Sequence, residues 1–375
     1  MSERAAVIID HAALAANIEQ IRRMTGVAVM AVVKANGYGH GMVNVAKTAL
    51  GAGATALGVA TIDEGIALRE ADISAPILVM GSTFPAEASE GIAHNLALAV
   101  YNPEQARYIA NAAANKPVNV HIKIETGMNR LGFSADKIGI EQILQAANLP
   151  GLAINGIFSH LACADSDPDF SNEQLNKFIY TINELNNQGI RPPIRHISNS
   201  GGAILLGKNF HLDMVRPGIA IYGLAPEGDV RGGESMAGRG FAPVMSISAP
   251  IAHIRKIARG EGVGYGRAHI AAADSLIATI PVGYADGFAR DMGKNGGHVL
   301  INGEISPIVG NVCMDMMMAD ITNIPNISIG DKAIFCGQSH HRRISMEQLA
   351  APNNRINYEM ATSIKRIPHQ HPRNP

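Results

Sequence analysis

The sequence has 375 residues, of which 47% are hydrophobic and 17% charged, and its formal net charge is -1. Such a composition belongs to an ordered globular chain, and a near-neutral balance supplies no general field for a polyanion, so nucleic acid is not an expected partner. The length exceeds that of one ordinary domain, so two are predicted, one of them large enough to be a barrel.

In chain order, residues 1–10 place Glu3, Arg4 and Asp10 around a short apolar run and lack the pattern of a secretory leader. Short apolar runs then recur at 28–33, 56–59, 76–80, 96–100, 118–124, 154–159, 194–197 and 214–221, giving eight expected strands. Segments with helical spacing lie between several of them. Thr61 with Glu64 predicts one helix start. Ser171 with Gln174 predicts another, ahead of a stripe formed by Leu175, Phe178, Ile179, Ile182 and Leu185. This alternation predicts a parallel α/β arrangement, either a (β/α)8 barrel or a doubly wound sheet, and periodicity alone does not choose between them.

From about Gly238 the texture changes to short runs at 244–257, 276–280, 299–301, 305–309, 316–321 and 332–335, punctuated by turns such as Asn302-Gly303. The expected division is a barrel domain over 1–237 and a mainly β domain over 238–375. The end of the chain, with His369, His371, Pro372 and Pro375, reads as a mobile tail rather than a metal site, and no metal is expected. Cys163, Cys313 and Cys336 are few, odd in number and widely spaced, which suits a reducing compartment. No apolar run reaches about 18 residues, so no membrane span is predicted and the expected location is the cytoplasm.

Chemistry concentrates at residues 31–41, AVVKANGYGHG, where an apolar run delivers Lys34 into a Gly-rich turn. In a parallel barrel that end of a strand is where active sites gather, and a partly buried lysine beside other cations can lose its proton and form a Schiff base. Gly37, Gly39 and Gly41 allow close backbone approach or φ above zero, and lack the spacing of a dinucleotide loop or a P-loop. Taken alone, a lysine in this position is more often a solvated residue of a barrel mouth.

The wider set of motifs changes that reading. AVIID at 6–10, VKAN at 33–36, GYGHG at 37–41, KIETGMNRL at 123–131 and RPGI at 216–219 come first. GYGR at 264–267, GYADG at 283–287, CMD at 313–315 and Tyr358-Glu359 follow. In this order they resemble the alanine racemases, fold-type III enzymes of pyridoxal phosphate. The resemblance implies an N-terminal (β/α)8 TIM barrel, a C-terminal mainly β domain, and a homodimer packed head to tail with shared active sites. It also implies interconversion of L-alanine and D-alanine by two bases, supplying D-alanine for peptidoglycan precursors.

By the same resemblance, Lys34 holds the cofactor covalently and serves one face of the substrate Cα, while Tyr265 of the partner subunit serves the other. Tyr38, Ser200, the backbone of Gly218 and Ile219, and Tyr358 hold the phosphate. Arg216 donates to the pyridine nitrogen and, being hard to deprotonate, keeps that nitrogen from taking a proton. His160 is the polar neighbour of Tyr265, and Arg130 lies near the cofactor ring oxygen and the substrate carboxylate. Lys123 matches a lysine that is often carbamylated and orients Arg130. Met314 offers its backbone N–H to the substrate carboxylate, and Asp165 and Tyr284 line a narrow gate. The chain departs from the family at Gly37, where alanine is common and glycine is expected to loosen the loop, and at Glu125, where aspartate is common. A racemase of broader scope, a decarboxylase and a cofactor carrier are the alternatives. Tyr265, Met314 and Tyr358 in the second domain argue against a carrier.

Overall fold

A computed structural model describes residues 4–113, 116–226 and 236–371; Glu3, Pro372 and Pro375 lie outside them. The chain forms two compact units, one of Leu14–Gly37 with Gly41–Ala242, the other of residues up to Ala13, Tyr38–His40, and from Pro243 onward.

The first unit is built on eight parallel strands: Ala28–Val32, Ala56–Val59, Ile77–Val79, Ala97–Val100, Val118–Glu125, Leu152–Phe158, Ile194–His196 and Met214–Val215. The first seven pair in sequence order, and the eighth pairs back onto the first, Met214 opposite Ala28. Between the seventh and eighth, the amides of Asp213 and Arg216 donate to the carbonyls of Arg195 and Ser198 at 3.1 and 3.0 Å, closing the ring. This is a (β/α)8 barrel, and a doubly wound sheet is excluded. Every residue of Ala56–Val59 and Ile77–Val79 is buried, as strands between a filled interior and outer helices must be.

Three local expectations fail for physical reasons. The run 214–221 is a strand only at Met214–Val215, and Ile219–Tyr222 is a 3-10 helix. Pro217 cannot continue a ladder, and a short apolar run does not by its pattern distinguish strand from helix. The helix expected from Ser171 begins earlier, at Pro168–Asn187, because Asp167 caps it by accepting from the Phe170 amide and Pro168 fits its first turn. Ser171 then lies inside the helix, and Gln174 bridges the Ala162 amide and the His160 carbonyl. At Thr61 the cap is present, with its side chain accepting from the Glu64 amide at 3.3 Å, but the Glu64 carboxylate is used elsewhere.

The second unit holds a seven-stranded sheet in the order Glu304–Pro307, His298–Ile301, Lys332–Ser339, Met245–Pro250, Ala6–Ile9 and His369–Gln370, with Arg342–Ile344 paired to Lys332–Ser339. The strand Ala6–Ile9 therefore belongs to this sheet and not to the barrel, which a single cut at 237/238 does not capture. A three-stranded sheet of His253–Ile257, Ser275–Ile280 and Met317–Asp320 stands apart, so the run 244–257 is two strands. Asn302 and Gly303 have φ of 48 and 80°, both left-handed, as a two-residue hairpin turn requires. The tail is no mobile end as far as residue 371. His369 and Gln370 pair with Val7 and Ile8, and the His371 ring meets His11 at 2.9 Å. Among the described residues, no helix is long and apolar enough to cross a membrane.

Candidate active site

The first barrel strand stops at Val32, and residues 34–38 form a turn in which Ala35, Asn36, Gly37 and Tyr38 have φ of 53, 53, 63 and 52°. Left-handed backbone costs a non-glycine residue about 1–2 kcal/mol, so neighbouring groups must hold it. Glu64 does so, accepting from the amides of Ala35 at 2.6 Å and Ala60 at 2.7 Å. Asn36 adds its side-chain oxygen to the Met42 amide at 3.0 Å. Gly37 is buried with its N–H on the Val33 carbonyl at 2.8 Å, so this glycine leaves the turn tied rather than slack. Gly39 is obligatory, since a Cβ there would run into the Ala361 carbonyl oxygen. Lys34 emerges half-buried. Burial first, then Arg130, pull its ammonium below the ordinary lysine value, against an opposing pull from Glu64.

Three further basic side chains from the ends of barrel strands share this field. Arg216 is 2% exposed. Its Nη1 donates to His196 Nδ1 at 2.9 Å, and its Nη2 donates to the carbonyls of Ser159 and Ile197 at 2.7 and 3.1 Å and to His160 Nδ1 at 3.3 Å. Burial and Arg130 push its guanidinium down to about 9, still charged at neutral pH. Lys123 is buried with its Nζ 4.8 Å above the Phe158 ring, and burial, Arg216 and Arg130 hold it well below the ordinary value. Arg130 is exposed on the loop after the fifth strand. Glu125, despite burial that works against ionisation, is kept below the usual carboxylate range by the loop amides of Asn129, Gly127, Arg130 and Met128. Its charge is thus spent on shaping the loop that carries Arg130, with the Arg130 amide donating at 3.2 Å. The extra methylene relative to aspartate leaves that cap intact.

Burial and the cations Arg216, Lys123, Arg130 and Lys34 hold the His160 ring well below the ordinary histidine value. Because Arg216 can only donate, His160 Nδ1 accepts and the ring presents its proton on Nε2. Ser200 is buried, and its Oγ accepts from the amides of Gly218 and Ala220 at 2.9 and 3.2 Å, joining two short helical turns at one point. Asp165 lies on the loop between the sixth strand and the helix Pro168–Asn187, half-buried.

On the second unit, Tyr38 and Tyr358 come together, their rings 6.2 Å apart and tilted by 51°. Tyr265 sits on a short turn between Gly264 and Gly266, each with φ of 70°, and is 67% exposed. The side chain of Asn311 donates to its carbonyl at 2.9 Å, linking that turn to the loop carrying Cys313 and Met314. Tyr284 and Ala285 donate their amides to the carbonyls of Cys313 and Met314, both at 3.0 Å, an approach only Gly283 permits. The anchor of this group is not among the residues expected from sequence. Asp286, fully buried, accepts from the Gly283 amide at 2.9 Å and from Arg4 at 2.8 Å, with Arg366 at 3.8 Å. Its signal was present as the one acidic residue of the GYADG motif.

Comparison with known proteins decides the family. The family models for the alanine racemase N-terminal and C-terminal domains match residues 9–226 and 244–371. The chain belongs to the alanine racemase family. It is 39% identical to the alanine racemase of Clostridium tetani over 96% of this chain and 93% of that protein. Among solved structures, the alanine racemase of Clostridium difficile 630 superposes with a TM-score of 0.92 at 31% identity, covering 98% of this chain and 96% of that one. The alanine racemase from Bacillus anthracis with bound L-Ala-P gives 0.91 at 33% identity, over 100% and 96%. Alanine racemases are pyridoxal phosphate-dependent isomerases, and the set of groups described above suits such a group. A lysine with a depressed pKa stands among Arg130, Arg216 and Lys123, and no carboxylate pairs with the buried Arg216 among the described residues, an excess that favours an anionic guest.

Proposed function

We propose that this chain interconverts L-alanine and D-alanine with pyridoxal phosphate, as a cytoplasmic homodimer, and supplies D-alanine for peptidoglycan precursors. The observation that carries the reading is the half-buried Lys34, its ammonium destabilised by burial and by Arg130, in a barrel mouth with more cations than carboxylates. Bound there, the cofactor supplies the electron sink that makes the substrate Cα–H acidic.

The residues then divide the work. Lys34 attaches the cofactor and moves a proton on one face of Cα, and Tyr265 of the partner subunit moves one on the other. Ser200, the backbone of Gly218 and Ile219, Tyr38 and Tyr358 hold the phosphate through neutral donors, the Gly218 amide exchanging Ser200 Oγ for a phosphate oxygen. Arg216, locked by two carbonyls and two imidazole nitrogens, donates to the pyridine nitrogen without giving up its proton. His160, neutral with its proton on Nε2, supports the phenol of Tyr265. Arg130 and the Met314 amide orient the substrate carboxylate, and Asp165 and Tyr284 narrow the entrance. Support for a site shared between chains comes from Tyr265, Tyr284 and Met314, large side chains that a single chain leaves 67%, 40% and 54% exposed.

Incubating the protein and pyridoxal phosphate with L-alanine in deuterated water is expected to yield D-alanine deuterated at Cα. A folded, cofactor-loaded sample that forms no D-alanine sinks the proposal, and equal turnover of L-serine replaces alanine with a broader substrate.

Lys123 has the prerequisites for carbamylation, because burial, Arg216 and Arg130 weaken its hold on the proton, the free amine is the form that adds carbon dioxide, and the resulting anion would face those two arginines. With 13C-bicarbonate, a carbamate carbonyl resonance is expected in the wild type and not in Lys123→Met. Its absence from the wild type at saturating bicarbonate assigns Lys123 to the unmodified state.

A further inference from the structure

At the end of the barrel away from Lys34, the first residues of the strands surround a cavity of about 310 Å3. Met30, Leu78, Ala97, Ile194 and Met214 give it apolar walls, while Thr55 and Pro76 at its rim are exposed, so it is open to solutes. Asp213 also borders it but is engaged by Arg195 at 2.7 and 2.9 Å. Besides Thr55 and the paired Asp213, one buried lining side chain does not fit an apolar chamber: His121, 6% exposed, from the strand Val118–Glu125.

The proton on that ring can be placed by following hydrogen bonds from Arg216. A guanidinium has only N–H groups to give, so His196 Nδ1, 2.9 Å from Arg216 Nη1, accepts, and His196 carries its proton on Nε2. That Nε2–H is 2.8 Å from His121 Nδ1, which accepts in turn. His121 is therefore left with its proton on Nε2, a donor with no acceptor among the described residues. Burial and Arg216 push this ring down to about 4, so at neutral pH it is an uncharged donor and not a cation.

We propose that this cavity binds a small neutral molecule, largely apolar and carrying one hydrogen-bond acceptor, which takes the Nε2–H of His121. An ion would lose its hydration against these walls with no free counter-charge to meet it. Water gains little here, since an ordered water needs two to four polar partners and, beside the His121 donor, the chamber offers only the Asp213 carboxylate already held by Arg195 and the Thr55 hydroxyl already given to the Val29 carbonyl. The volume is roughly twice that of an engineered cavity known to bind benzene, about 150 Å3, so a single ring with a short carbonyl substituent fits. The inference stands on the barrel interior alone and does not depend on the racemase reading.

Acetophenone and α-methylstyrene are suitable probes, being nearly the same shape with a carbonyl in one and a C=CH2 group in the other. In full-length protein labelled with 13C at the methionine methyls, acetophenone is expected to shift the resonances of Met30 and Met214 saturably. These are assigned through Met30→Leu and Met214→Leu. The loss of one neutral hydrogen bond makes α-methylstyrene bind about fivefold more weakly. Ala97→Leu, which fills the chamber, is expected to remove both responses. No saturable shift at either methionine, equal affinity for the two probes, or shifts that persist in a folded Ala97→Leu protein would each overturn the proposal. The two-probe comparison uses the unmodified chain, so it decides the matter even where the variant does not fold.

Discussion

Lys34→Ala is expected to abolish covalent retention of pyridoxal phosphate and to lower racemisation by a factor on the order of 10^4 or more. Borohydride reduction followed by mass measurement reads the first effect, and D-alanine formation reads the second. The expectation has a pH signature of its own. Only the neutral amine attacks an aldehyde, so the rate of cofactor attachment to apoprotein should rise with pH and level off above the pKa of Lys34. Burial and Arg130 lower that pKa, so the midpoint should fall below the ordinary lysine value of 10.5. Removing one contributor then moves the midpoint with a defined sign. Arg130→Met relieves a repulsion and shifts it upward, and Glu64→Gln removes an attraction and shifts it downward, apart from any slackening of the Ala35 turn. Cofactor that stays covalently bound to Lys34→Ala after reduction would move the attachment to another lysine, and Lys123 is the nearest in kind.

Much of this arrangement is legible in the letters, and the failures have common causes. Eight apolar runs alternating with helical spacing mark the barrel strands, because strands buried on both faces need unbroken apolar sequence. Lys34, Arg130, His160 and Arg216 follow barrel strands in sequence, so once the strands are placed the residues must gather at one end. Local competition is harder to read. Ser171 and Gln174 have the spacing of a capping box, yet Asp167 and Pro168 start the helix first and free Gln174 to tie the loop after His160. Contacts between distant strands leave no mark at all. His121 and His196 are 75 residues apart and each looks like an ordinary core histidine. Only the closed barrel shows that they extend the hydrogen-bond chain of Arg216 into the barrel interior. Glu64 is a similar case. Its sequence context predicts a cap, and its carboxylate instead braces the strained turn after Lys34.

The second large effect is expected at Tyr265, and it tests where the other half of each site comes from. Tyr265→Phe removes the proton carrier proposed for one face and should lower racemisation by about 10^2 to 10^4 while leaving cofactor attachment intact. Lys34 still works its own face, so in deuterated water one enantiomer of alanine should exchange its Cα–H without inverting, and the other should not. Mixing Lys34→Ala with Tyr265→Phe chains then separates two geometries. If each site draws Lys34 from one chain and Tyr265 from the other, a hybrid dimer holds one site with both defects and one with neither. Random exchange of equal amounts makes about half of the dimers hybrid, so about a quarter of wild-type activity should return. If both residues of a site came from the same chain, every site in the hybrid would carry one defect and nothing would return. Native mass measurement of the mixture shows whether hybrids have formed, so silent hybrids count against the shared site and do not merely reflect slow exchange. The high exposure of Tyr265, Tyr284 and Met314 in the single chain favours the first outcome, since a phenol that must hold and release a proton at one atom needs walls that one copy does not give it.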